Sequence, residues 1–144
     1  AAAPPCVAVG LVAGVVLLEA VGIHPWARPP ASTVSEAAAL GAAARAGELI
    51  AAGQNPNVPA RIPAGVLDAG AAVELPAIDA AILGRRAELV GLLQRHGGRT
   101  ADRARSICYA RGVGLGEVLP YLGLPEEAAS SSAGVAEVLR QCGS

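Results

Sequence analysis

Two stretches of the chain are built to one plan. Glu36 to Asn57 reads "EAAALGAAARAGELIAAGQNPN", and Pro76 to Gly98 reads "PAIDAAILGRRAELVGLLQRHGG". Each is a short apolar helix, a tight break, a second helix rich in Leu, Ile or Val, and a terminal Gly. In the second stretch Ile78, Ala81 and Ile82 share one helical face, and Leu89, Val90, Leu92 and Leu93 share another. The Ala-rich first helices are thin, so neighbouring pairs can approach closely. Gly53 and Gly97 suit the position past a helix end where a left-handed residue closes the last turn. One helical hairpin cannot bury its apolar face alone, so several must stack. The expected fold class for this part of the chain is therefore all-α.

At these residues the chain resembles ankyrin repeats. "AAILGRRAELVGLLQRHGG" is similar to the second half of an ankyrin unit, with its run from Glu88 to Gly97, and "LIAAGQNPN" is similar to the end of another. The resemblance implies that Asn55 and Asn57 begin a β-turn finger. "ADRARSICYARG" and "LGEVLPYLG" make a third pair, Ala101–Gly123, interrupted by Pro120. "PEEAASSSAG" and "VAEVLRQCG" make a compact fourth, Pro125–Gly143, in which Pro125, Glu126 and Glu127 suit a first helical turn. The chain departs from the family in its uneven glycine spacing and in reading "AIDAAI" where the family's first helix has "TPLHLAA". The resemblance is carried by residues 35–98.

Between the two clear pairs lies "VPARIPAGVLDAGAAVEL", Val58 to Leu75, longer than an ankyrin finger needs. Long loops in compact domains are commonly functional. Arg61, Asp68 and Glu74 are its chemical features and the expected partner-binding groups; a tolerated surface insertion is the other reading.

Ahead of the repeats, residues 6–23 form an apolar run that measures about 27 Å as a helix, close to the thickness of a bilayer's hydrocarbon core. Pro4 and Pro5 suit its start, and Pro25, Pro29 and Pro30 stop it. Trp26 falls where an interfacial ring is favoured. The expectation is a transmembrane anchor over 1–27, a linker over 28–34 and an ankyrin-like helical-repeat domain over 35–144. Arg28 puts that domain on the cytosolic, stromal or matrix side. Gly10 and Gly14 form a GxxxG, which lets another helix approach. Glu19 lies about one turn from the apolar end, so its carboxylate can reach toward headgroups. Glu19 and His24 are also the two groups here able to meet a polar partner or ligate a pigment metal, which leaves a chlorophyll contact open.

The composition narrows the function. The net charge is −1, with all 11 basic residues Arg, so there is no general electrostatic case for nucleic acid. The basic group Arg85, Arg86, Arg95 and Arg99 is expected as a solvated face, or one that meets anionic headgroups. Cys6, Cys108 and Cys142 are too few and too scattered for a disulfide framework and are expected as free thiols. No Cys/His spacing suggests a metal site. No catalytic residues stand out: "GVGLG" at Gly112–Gly116 lacks the Lys of a phosphate loop, and no base is spaced to activate a nucleophile. The chain contains no Met, so a processed start is expected, and with it an organelle: a thylakoid first, a mitochondrial inner membrane as the alternative.

The expected role is thus a non-catalytic accessory subunit of a photosynthetic or respiratory membrane complex, anchored by one helix. Its partners would be the other subunits and the lipid bilayer. The alternative is a soluble ankyrin-like scaffold whose first helix packs on the body. An enzyme whose site is completed by another chain, through Arg61, Asp68 or Glu74, is a third.

Overall fold

The computed structural model describes residues 29–126 and 133–143. The chain divides into two compact units, Ala1–Pro30 and Ala31–Ser144. The expected anchor, with Gly10, Gly14, Glu19 and His24, lies outside the described residues. No helix among the described residues is long and apolar enough to cross a membrane.

The second unit is mostly helical. In chain order it holds α1 (Val34–Leu40), α2 (Ala43–Ala51), β1 (Ala60–Ile62), β2 (Val73–Leu75), α3 (Ala77–Leu83), α4 (Ala87–Arg95), α5 (Arg103–Gly112), a 3₁₀ helix (Gly116–Leu122) and α6 (Val135–Cys142). The first helices of successive pairs stack in a row, α1 on α3 and α3 on α5, and α4 packs on the 3₁₀ helix. Helix α6 packs on α5. The expected first helix of the fourth pair falls largely on residues outside the described set.

Local chemistry explains the helix ends. Thr33 caps α1 by accepting from the Glu36 amide at 3.1 Å, and the Glu36 carboxylate accepts from the Ser32 amide and hydroxyl at 2.9 and 3.1 Å. This is a capping box with its return bond shifted one residue outward. Asp102 caps α5 in the same way, accepting from the Arg105 amide at 3.1 Å. Gly53 and Gly97 take the left-handed conformation expected of them, with φ of 95° and 81°.

Packing follows from small residues. Every residue of α3 is buried, because it lies between α1 and α5. Ala37, Ala38, Ala77, Ala80 and Ala81 give the thin faces, and Ile78, Ile82, Leu89, Val90 and Leu93 fill the core between layers. The contact is closest at Gly84, where a Cβ would lie 2.5 Å from the Ala39 carbonyl oxygen.

The all-α expectation is corrected first: the Val58–Leu75 segment is not a plain loop but carries a small sheet. Strands β1 and β2 pair antiparallel with Ala60 opposite Leu75, Arg61 opposite Glu74 and Ile62 opposite Val73. The alternation is physical: Ile62 and Leu75 are buried while Arg61 and Glu74 are exposed. Three-residue strands leave too short a periodic signal to stand out among Pro and Gly. Leu67, between the strands, returns to the core.

The second correction concerns the cysteines. Cys108 of α5 and Cys142 of α6 form a disulfide across a sequence separation of 34, with Cα atoms 5.9 Å apart. The packing of α6 on α5 creates this proximity, so spacing along the chain gives no sign of it. Cys6 lies outside the described residues.

Candidate functional site

The most unusual side chain among the described residues carries no motif in the sequence. Asp79 sits in the first turn of α3 and is 0% exposed. Because α3 is enclosed, a carboxyl on it must find its partners inside the protein. The nearest is Ser106 of α5, also fully buried, whose Oγ lies 2.5 Å from Asp79 Oδ1. Ser106 Oγ also lies 3.0 Å from the Asp102 carbonyl. One hydroxyl proton thus faces two acceptors. With Asp79 ionised, Asp79 Oδ1 and the Asp102 carbonyl compete for that proton, and protonation of Asp79 relieves the competition.

The electrostatics point the same way. Burial pushes the Asp79 carboxyl above its ordinary range, outweighing the opposite pulls of the Ser106 hydrogen bond and of Arg105. Arg105 Nη2 is 4.0 Å from Asp79 Oδ2, the outer limit of an ion pair. Asp79 Oδ2 and Arg105 Nε are the two buried side-chain polar atoms without a hydrogen-bond partner among the described residues. Burial likewise holds the Tyr109 phenol above its usual range.

Beside this cluster lies an open cleft of about 580 Å³, walled by β2 residues Val73, Glu74 and Leu75, by Pro59 and Pro76, by Arg105 and Tyr109 of α5, and by Leu139 of α6. A second cleft, of about 350 Å³, gathers Asp68, Arg85 and Arg86 beside Val66 and Val135.

The three loop residues expected to bind a partner are therefore split. Arg61 and Glu74 face one another across the hairpin, and Glu74 also lines the larger cleft. Asp68 belongs to the other cleft. Arg85, Arg86, Arg95 and Arg99 are all exposed, as a solvated basic face requires. Asn57 ties the two clear helix pairs together: its amide donates to the Gly97 carbonyl at 3.0 Å and its carbonyl oxygen accepts from the Arg99 amide at 2.6 Å. The signal that marks Asp79 in the sequence is its isolation as the one charge in "AIDAAIL"; the burial that gives it meaning is tertiary.

Chemically the Asp79 cluster is closed. Ser106 and Asp79 are too deep to meet a substrate, and no histidine is part of the arrangement. Among the described residues no group of three or more His, Cys, Asp or Glu side chains is placed to hold a metal ion. The candidate chlorophyll contacts, Glu19 and His24, lie outside the described residues. Compared with protein-family models, with curated proteins and with solved structures, the chain matches none of them, so its role is read from its own geometry.

Proposed function

We propose that this chain is a non-catalytic protein-contact module of ankyrin-like stacked helix pairs, serving as an accessory subunit of a larger membrane complex. The observation that carries the contact role is the β-hairpin standing between two stacked helix pairs, with Arg61 and Glu74 on its exposed positions and a cleft at its base. Stacked pairs with projecting fingers present extended recognition surfaces. The deep burial of Ser106 and Asp79 favours binding over chemistry. Attachment to the bilayer rests on the apolar run at 6–23 and on Trp26 at its boundary.

The Cys108–Cys142 disulfide bears on location. Such bonds persist in oxidising compartments and are rare where thioredoxin and glutathione act. It favours a lumenal, intermembrane or extracellular position for the body over the stromal or matrix side that Arg28 suggests.

The test is mild detergent extraction of native membranes, a native gel, and identification of what migrates with the chain. Co-migration with a defined complex, lost when the hairpin carries Arg61→Ala and Glu74→Ala, is the expected result. Release by alkali with the chain running alone would overturn the membrane reading and leave a scaffold without an anchor.

A further inference from the structure

The cleft beside β2 has three properties that belong together. First, β2 pairs only with β1 among the described residues, so its other edge carries backbone groups with no strand beside them. Three successive residues of β2 line the cleft along that strand. Second, Arg105 reaches the cleft with its side chain 35% exposed, and that side chain makes no hydrogen bond to any described residue. Asp79 does not neutralise it well: the carboxyl is 4.0 Å away, and Ser106 holds its other oxygen at 2.5 Å. The Asp102 side chain is engaged with the Arg105 backbone amide instead. Third, apart from Glu74 and the Tyr109 phenol the other side chains of the wall are apolar, among them Pro59, Val73, Leu75, Pro76 and Leu139.

We infer that this cleft takes an extended acidic peptide segment of a partner protein, added as a strand along the free edge of β2 with one carboxylate on the Arg105 guanidinium. The inference rests on the contact-module reading and gives its partner a chemistry. Strand addition supplies affinity through main-chain hydrogen bonds, and alternate side chains supply selectivity. A half-buried guanidinium whose neighbouring carboxyl is 4.0 Å away gains a charge-assisted bond when a carboxylate arrives closer. Glu74 sets the other half of the selectivity. It lines the same cleft, so a second acidic group on its side is repelled, and the segment carries a single acid flanked by apolar residues. Asp79 has a role in this arrangement without touching the peptide. Kept in the core beside Ser106, it leaves the Arg105 charge turned to the cleft.

The probe is a capped hexapeptide of alternating valine and threonine with one central glutamate, and the same peptide with glutamine there. Binding to the oxidised full chain is followed by amide and guanidinium NMR shifts. The glutamate peptide is expected to bind about fivefold more tightly than the glutamine one, the yield of a partly exposed ion pair. Shifts are expected at Val73–Leu75 and at Arg105 Nε. Arg105→Gln should remove the preference while leaving the weaker strand binding. Equal affinities for both peptides, or shifts confined to other faces, would overturn the inference. So would acetate alone reproducing the Arg105 shifts while the peptide leaves β2 unmoved, because that is ion binding without docking. The two readings fail separately: equal affinities of the wild-type chain for both peptides overturn the cleft inference alone, whereas a wild-type chain that runs alone on the native gel overturns the contact-module reading.

Discussion

The two clear helix pairs and the C-terminal part of the second unit are held together differently. Between residues 31 and 98 the stack is packed by alanine faces, a glycine at the closest approach, and Ile, Leu and Val filling the layers, with exposed ties from Asn57 to Gly97 and Arg99. From α5 onward the chain relies on particular bonds. Ser106 meets a buried carboxyl, Arg103 donates to the Leu122 and Gly123 carbonyls at 2.6 and 3.1 Å, and a disulfide fastens α6. The alanine-rich pairs are regular enough to pack by repetition. The third pair cannot repeat them, because Pro120 turns its second member into a 3₁₀ helix, whose hydrogen bonding is poorer. Specific polar and covalent ties are added there to an apolar core that buries Val113, Val118, Leu119, Leu122 and Val138. The lesson is that the C-terminal end of the stack adds buried polar and covalent ties to its packing.

The strongest way to break this comparison is in the packed region. Leu89→Ala, at a site that is 0% exposed, should cost about 3–4 kcal/mol through lost burial and an unfilled cavity, read as a lower midpoint in urea unfolding. A cost under about 1 kcal/mol would show that shape does not hold the pairs.

Next in size is the disulfide. The separation of 34 residues corresponds to about 3–4 kcal/mol of chain entropy removed from the unfolded state. Cys142→Ser, or reduction, should lower stability by roughly that amount and raise amide exchange in α6 first. Helices α1 to α4 should keep their protection well after α6 has lost its own. Equal loosening throughout would erase the distinction between the two regions.

The pH dependence sharpens the comparison further. The folded Asp79 carboxyl binds its proton more tightly than an unfolded one, because burial raises it. Its contribution is therefore greatest at pH values below the ordinary carboxylate range and is lost as pH rises through its own raised range. Asp79→Asn should flatten that decline in the unfolding free energy. If the wild-type and variant profiles run parallel, Asp79 is not the titrating group.

The smallest effect is at the start of the stack. Thr33→Ala removes the cap that accepts from the Glu36 amide and should cost about 1 kcal/mol, measured by thermal unfolding, with no change in α6 exchange after reduction.

Much of this architecture was written locally. The period of Ile78, Ala81 and Ile82, the glycines at 53 and 97, and the two matching stretches specified short helices in pairs, because helix formation and termination depend on neighbours three and four residues apart. Arg61 and Glu74 were legible as chemistry in a long connection, though not as opposite members of a hairpin. What the chain could not announce were relations between distant residues. The burial of Asp79, its meeting with Ser106 across 27 positions, the Cys108–Cys142 bond and the cleft joining β2 to Arg105 all arise from which helix packs on which. Sequence determined the helices because their hydrogen bonds are local. Tertiary structure decided the polar cluster, the disulfide and the cleft, because desolvation and proximity exist only once the layers have closed.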